Sequence, residues 1–251
     1  MTDTFQTQPE QRQRLYEGKA KIIYATAEPE VLVTYFKDDA TAFNAQKKGQ
    51  IAEKGMVNCK VTTHLYRLLE KQGVATHLIE QTSDREIKVK RVDIVPLEVV
   101  VRNIAAGSLC KQTSIDLGTP LSPPLVEFYY KNDDLGDPLL TRDRIAAMQI
   151  TTADQLDQLV SKAQTVNTLL TNFFSDCDII LIDFKLEFGT DANGTLLLAD
   201  EISPDTCRLW DKTESDPQKR VMDKDRFRQD LGNVAEGYQA VLQRIMTQVE
   251  E

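Results

Sequence analysis

Histidine is nearly absent from this sequence: only His64 and His77 occur in 251 residues. A His-rich metal centre or a Ser-His-Asp triad therefore has almost no raw material. The four cysteines, Cys59, Cys110, Cys177 and Cys207, stand far apart without a C-x-x-C pair. That spacing disfavours a zinc knuckle or a disulfide framework and suits reduced thiols. Apolar runs such as Ile179-Ile180-Leu181-Ile182 fall far short of the roughly 18 residues that span a bilayer. The opening MTDTFQTQPEQRQR lacks the apolar core of a signal peptide, so a cytoplasmic protein without membrane contact is expected. Neither GxxxxGK[ST] nor GxGxxG occurs. Positive charge is also in deficit, with 30 Lys and Arg against 39 Asp and Glu, a net −9. Such a surface repels polyphosphate backbones, which disfavours nucleic acid as a partner. Chemistry here must run on carboxylates, lysines and arginines.

What is present is a globular composition, 41% hydrophobic and 27% charged, enough for one large domain or two small ones. Residues 1–14 are polar and aperiodic and read as a loose tail. Short β-like runs follow at 20–25, 31–36, 76–81 and 87–92, interrupted by a helical stretch over 52–72 that ends at Gly73. Pro96 marks a seam, and 97–102 reads as a continuous apolar strand. Pro120, Pro123 and Pro124 suggest a rigid loop. Thr151 or Thr152 can cap a long helix reaching Phe174, whose apolar residues recur at helical spacing. Strands are expected at 179–188 and 195–202, and one amphipathic helix from Asp223 through Ile245. The order, β-rich and then mixed, predicts an α+β protein of two lobes.

Three local features bear on chemistry. Between Arg85 and Lys111 the balance is a local +3, which suits either a small anionic ligand or a solvated strand face. Gly18-Lys19-Ala20-Lys21 puts two lysines on one side of a strand, and Ala105-Ala106-Gly107-Ser108 reads as a phosphate-accepting helix start or as an ordinary Gly turn with a Ser cap. Arg102, just upstream, can supply a bidentate contact.

The third feature is the segment 179–205. Asn193-Gly194 favours a two-residue hairpin turn, which would set Glu187 directly opposite Asp200. A four-residue loop would keep the same faces, whereas a three-residue loop would break the register. Asp183, Lys185 and Glu187 alternate onto one face. Like charges across a strand pair are unfavourable, and a divalent cation is one reason to keep them. Neutralisation by Lys185 is the other.

Several segments occur in a telling order: 15–21 (LYEGKAK), 54–58 (KGMVN), 100–108 (VVRNIAAGS), 131–133 (KND), 183–189 (DFKLEFG) and SPD with RLWD over 203–211. The ordered set, from residue 15 to the C-terminal helix, closely resembles the SAICAR synthetase family. The resemblance implies a two-lobed, ATP-grasp-like architecture. Residues 15–95 would form an N-terminal β-rich ATP-binding lobe, and residues 96–251 a C-terminal α/β lobe with the substrate and metal site. It implies an ATP-dependent ligase that joins L-aspartate to carboxyaminoimidazole ribonucleotide, with ATP and Mg2+ as cofactors and a homodimeric assembly.

Matched onto the family pattern, Lys19, Lys21 and Lys131 would contact ATP. Ile94 would lie in a hinge, residues 92–97, whose backbone meets adenine. Glu187 and Asp200 would hold Mg2+ and, with Lys185, form the catalytic group. Arg102, Ser108, Lys185 and Arg208 would bind the ribonucleotide's phosphate and carboxylate. Asp39, in an acidic segment over 38–44, would contribute to substrate binding. Two rivals share the cleft chemistry: a small-molecule kinase, which would release ADP without aspartate, and a non-catalytic nucleotide sensor, which has no use for the Arg102, Ser108 and Arg208 set.

Overall fold

The computed structural model describes residues 12–42 and 46–249. The tail expected over 1–14 therefore lies mostly outside the described residues, as do residues 43 and 44 of the acidic segment. The first half of the chain builds β1 (Arg14–Glu17), β2 (Lys21–Ala25), β3 (Val31–Phe36), the small hairpin β4 (Asp39–Ala42) and β5 (Lys47–Gln50), helix α1 (Lys54–Lys71), β6 (Leu78–Ser83) and β7 (Glu86–Lys90). Five of these strands form an antiparallel sheet in the order β1-β2-β3-β7-β6. Helix α1 presents Val57, Val61, Leu65 and Leu69, one per turn and all fully buried. Burying each such side chain is worth about 1.5–3 kcal/mol. Gly73 follows the helix with φ +84, a left-handed residue just past the end that glycine tolerates without a Cβ clash.

The second half builds β8 (Asp93–Ile104), α2 (Ser108–Gln112), β9 (Pro120–Tyr130), β10 (Leu139–Leu140), α3 (Arg142–Ala147), α4 (Ala153–Asp176), β11 (Ile179–Thr190), β12 (Leu196–Ala199), β13 (Cys207–Asp211), α5 (Asp225–Arg228) and α6 (Val234–Val249). Its sheet runs β10-β9-β8-β11-β12, with β13 also paired to β11. Thr152 caps α4, its hydroxyl accepting from the Gln155 N–H at 3.1 Å. Helix α4 lies on β8 and β11, and α6 packs against α1. The two-lobed α+β expectation holds.

Several local readings change. Pro96 is no break between strands: it lies inside β8. The β8–β11 register shifts between Glu187 and Gly189, so the missing N–H of Pro96 falls at an irregularity in the ladder. The prolines at 120, 123 and 124 belong to β9, where the β8–β9 register shifts beyond Arg102. The run 97–102 is an alternation: Leu97, Val99 and Val101 are buried, whereas Glu98, Val100 and Arg102 face the inter-lobe cleft. The single C-terminal helix is two, α5 and α6. Asp230, Gly232 and Asn233 take positive φ between them, and that conformation cannot continue a right-handed helix.

Candidate active site

A cleft of about 800 Å³ separates the two sheets, with residues of both on its walls. One end is apolar, lined by Ile23, Leu32, Val89, Val92 and Ile94. The middle is a lattice of lysines and carboxylates. The far end holds two arginines around Asp183.

The Asn193-Gly194 hairpin has a three-residue loop. The Asp191 N–H donates to the Thr195 carbonyl, and the Asp191 carboxylate accepts from the Asn193 and Thr195 N–H groups at 3.0 and 2.8 Å. Gly194 takes φ +80, which completes the three-residue geometry. The register therefore slips by one, and Glu187 pairs with Ala199 instead of Asp200. The acids meet by another route. Asp200 leaves β12 with φ +63, and its carboxylate lies 3.8 Å from Lys185 Nζ. The same ammonium donates to Glu187 Oε1 at 2.7 Å and Glu98 Oε1 at 2.9 Å. The two acids share a lysine rather than a cross-strand position.

Other lysines reach this group from elsewhere in the chain. Lys21 on β2 binds Asp200 and lies 2.8 Å from Glu201 Oε1. Lys131 donates to Glu187 Oε2 at 2.6 Å, and Lys19 to Asp133 Oδ1 at 2.8 Å. Burial works against the charges of Lys21 and Lys185, yet the facing carboxylates outweigh it and raise both pKa values. The same cations hold Asp200 well below the usual carboxylate range, although burial opposes this. Burial pushes His77, also on the cleft wall, down to about 4, so it is neutral at pH 7.

At the arginine end, Asp183 Oδ2 accepts from Arg102 Nη1 at 2.7 Å and from Arg208 Nη1 at 2.8 Å. Arg102 is 3% exposed, and its remaining groups bind Glu127, Ser108, Tyr129 and the Ala106 carbonyl. Arg208 binds Asp225 through Nε, and among the described residues its Nη2 has no partner. Gly107 makes room for it: a Cβ there would sit 2.4 Å from Arg208 Nη2. Gly107, not Ser108, is the residue preceding α2, and Ser108 Oγ instead accepts from Arg102 Nη2 at 2.9 Å.

The structure thus brings Lys19, Lys21, Ile94, Arg102, Ser108, Lys131, Lys185, Glu187, Asp200 and Arg208 onto one cleft. It does not bring Asp39 there. Asp39 sits on β4 with its carboxylate 2.9 Å from Lys37 Nζ and 3.3 Å from Gln50 Nε2. The basic run also divides. Lys90 and Arg102 line the cleft, whereas Arg85 binds Asp38 and Lys88 binds Glu80.

Sequence reasoning missed β13, which sets Arg208 opposite Asp183, and the cleft face of β9 with Glu127 and Tyr129. The β-branched and aromatic run 125–130 is a signal for β9 that the neighbouring prolines mask. It also missed a buried group at the cleft wall: Lys54 Nζ donates to Asp205 Oδ2 at 2.7 Å, and the Tyr238 hydroxyl to Oδ1 at 2.6 Å. No local pattern announces that contact.

Comparison with known proteins agrees with this fold. The family model for SAICAR synthetase matches residues 14–245. The phosphoribosylaminoimidazole-succinocarboxamide synthase of Picosynechococcus sp. is 64% identical over 243 residues, covering 97% of this chain and 96% of that protein. The crystal structure of the same-named enzyme from Ehrlichia chaffeensis superposes with a TM-score of 0.89 at 44% identity, covering 93% of this chain and 98% of that one. A SAICAR synthetase solved in complex with ADP matches at a TM-score of 0.87 and 43% identity, covering 92% and 96%. The chain belongs to the SAICAR synthetase family.

Proposed function

We propose that this chain condenses carboxyaminoimidazole ribonucleotide with L-aspartate, consuming ATP and releasing the succinocarboxamide ribonucleotide, ADP and phosphate in purine biosynthesis. One observation carries the assignment beyond family membership. A single cleft joins an apolar end, a lysine-carboxylate centre and a two-arginine end. Those three regions match adenine, a phosphoryl-transfer site and an anionic second substrate. The family relative solved with ADP supports nucleotide use.

A carboxylate is a poor electrophile, so amide formation needs activation. Transfer of the γ-phosphoryl to the imidazole carboxylate breaks the bond to ADP and forms an acyl phosphate. The aspartate amine, having lost a proton, attacks the acyl carbon; the C–N bond forms and phosphate leaves. Such transfer depends on positioning and charge neutralisation, and a site rich in lysine and arginine suits it. Lys19, Lys21 and Lys131 bind the ATP phosphates in this reading, with the segment 92–97 around Ile94 against adenine. Lys185 faces the carboxylate that accepts the phosphoryl group. Ser108 and Arg208 meet the ribonucleotide phosphate, and Arg102 orients Ser108.

Magnesium belongs to the same reading. Among the described residues no three His, Cys, Asp or Glu groups converge as a complete metal site. Glu187 and Asp200 nevertheless offer hard oxygen donors on one wall, which fits a cation that takes its other ligands from phosphates and water. Held by Glu187 and Asp200, magnesium would supply charge neutralisation for the transferring phosphoryl group, and Lys21, Lys131 and Lys185 would face the phosphates. The residues 15–95 and 96–251 divide accordingly into nucleotide and substrate lobes, joined through β8.

The deciding test is ADP release by a coupled assay with each substrate omitted in turn. Release should require ATP, the imidazole ribonucleotide and aspartate together. Full release without aspartate would make the protein a kinase and overturn the assignment.

A further inference from the structure

Asp200 is a non-glycine residue at φ +63, left-handed backbone that aspartate visits more readily than most residues and that neighbouring contacts enforce here. The enforcement comes from behind the cleft, from α1. Tyr66 and Thr62 lie one turn apart on the same face of that helix, and both are fully buried. The Tyr66 hydroxyl donates to the Ala199 carbonyl at 2.6 Å, immediately before Asp200. The Thr62 hydroxyl donates to the Ile202 carbonyl at 3.2 Å, immediately after Glu201. The carbonyls on both flanks of Asp200-Glu201 are therefore held by one helix. A third tether acts upstream, where the His77 N–H donates to the Leu198 carbonyl and the Leu198 N–H to the Ala75 carbonyl. The His77 ring meets the Tyr66 ring edge-on at 5.8 Å between centroids, which fixes the phenol's direction. Burial keeps the Tyr66 hydroxyl protonated, so it remains a donor.

We propose that Tyr66 and Thr62 are positioning residues that aim the Asp200 and Glu201 carboxylates at the cation site of the cleft. The proposal rests on reading Asp200 as a magnesium ligand. Without the Tyr66 hydroxyl the buried Ala199 carbonyl, which also lies in the ladder opposite Glu187, loses its side-chain donor, and the turn after it loses one of the contacts that hold it. Neither side chain lines the cleft, so both act through Asp200 and Glu201.

The test uses the full chain, with Mn2+ and ADP as probes and the bound metal counted by electron paramagnetic resonance. Tyr66→Phe keeps the ring, Thr62→Val keeps the branched shape, and thermal melting reports whether each variant folds. Each should weaken Mn2+ binding in the presence of ADP by roughly threefold to tenfold, the equivalent of one net hydrogen bond. Combined with Asp200→Asn, Tyr66→Phe should add little further loss, because its effect runs through that carboxylate. Unchanged Mn2+ affinity in both single variants, or losses that simply add to those of Asp200→Asn, would overturn the positioning role. If Asp200→Asn itself binds Mn2+ as the parent does, the magnesium reading fails, and the proposal with it.

Discussion

At the scale of single residues, Lys185 shows how burial changes an argument made from alternation. As a surface cation flanked by acids it would contribute only about 0–1 kcal/mol to stability. In the folded chain its partner Glu187 has a side chain only 3% exposed, with Lys131 as its other cation. Lys185→Met therefore strands much of a buried charge. We expect the variant to lose at least about a hundredfold in kcat, the usual cost of one transition-state contact, and to melt lower by the equivalent of about 1–3 kcal/mol. Lys185→Arg should keep more of both. The raised pKa of Lys185 sets the pH dependence. Its ion pairs contribute fully below the ordinary lysine value and are lost only as pH climbs through the raised one. The melting difference between Lys185→Met and the parent should thus stay flat from about pH 6 to 9, well below the ordinary value of about 10.4. Melting curves across that range decide it, and a difference that shrinks by half before pH 9 would contradict the charge assignment.

At the scale of elements, the α2 start and β13 make one device. Gly107 stands at φ +59 and ψ −126, backbone that glycine reaches easily and other residues only with strain. A methyl there would also fall 2.4 Å from Arg208 Nη2. Gly107→Ala should displace Arg208 Nη2, which has no partner among the described residues. We expect the KM for the imidazole ribonucleotide to rise about tenfold, in line with loss of a charge-assisted contact, while the KM for ATP changes far less. Steady-state titrations of each substrate separate the two. The hairpin of β11 and β12 shows an element boundary deciding a site. Asp191 caps its own loop, the loop takes three residues, and Asp200 reaches Lys185 only because it turns out of the strand.

At the scale of the whole molecule, ion pairs join the lobes across the cleft, and nucleotide at the proposed site would have to rearrange them. Lys21 on the first sheet binds Asp200 and Glu201, which follow β12 of the second, and Lys19 binds Asp133. ATP and magnesium together should exchange these carboxylates for phosphates and link both lobes through the ligand. A ligand at 100 times its Kd stabilises by about 2.7 kcal/mol, which for a chain of this size corresponds to roughly 5–10 °C in Tm. Differential scanning fluorimetry with ATP should show that rise in the parent and little of it in Lys21→Met. An equal rise in both would remove Lys21 from the nucleotide site.

The sequence by itself determined what is periodic and local. It marked α1 with its glycine stop, α4 with its threonine cap, the cleft face of Asp183, Lys185 and Glu187, and an ordered set of motifs specific enough to identify the family. These follow from spacing along a few turns or one strand, where chain geometry ties each side chain to a face. Only the tertiary structure decided the partnerships. Lys21 meets Asp200 across 179 positions, Lys54 meets Asp205 across 151, and Arg102 meets Asp183 across 81. No local period encodes such pairs, because they depend on how sheets and helices stack. The one-residue slip of the hairpin has the same origin in reverse: a side chain capping its own loop overrode the turn that the Asn-Gly dipeptide favours.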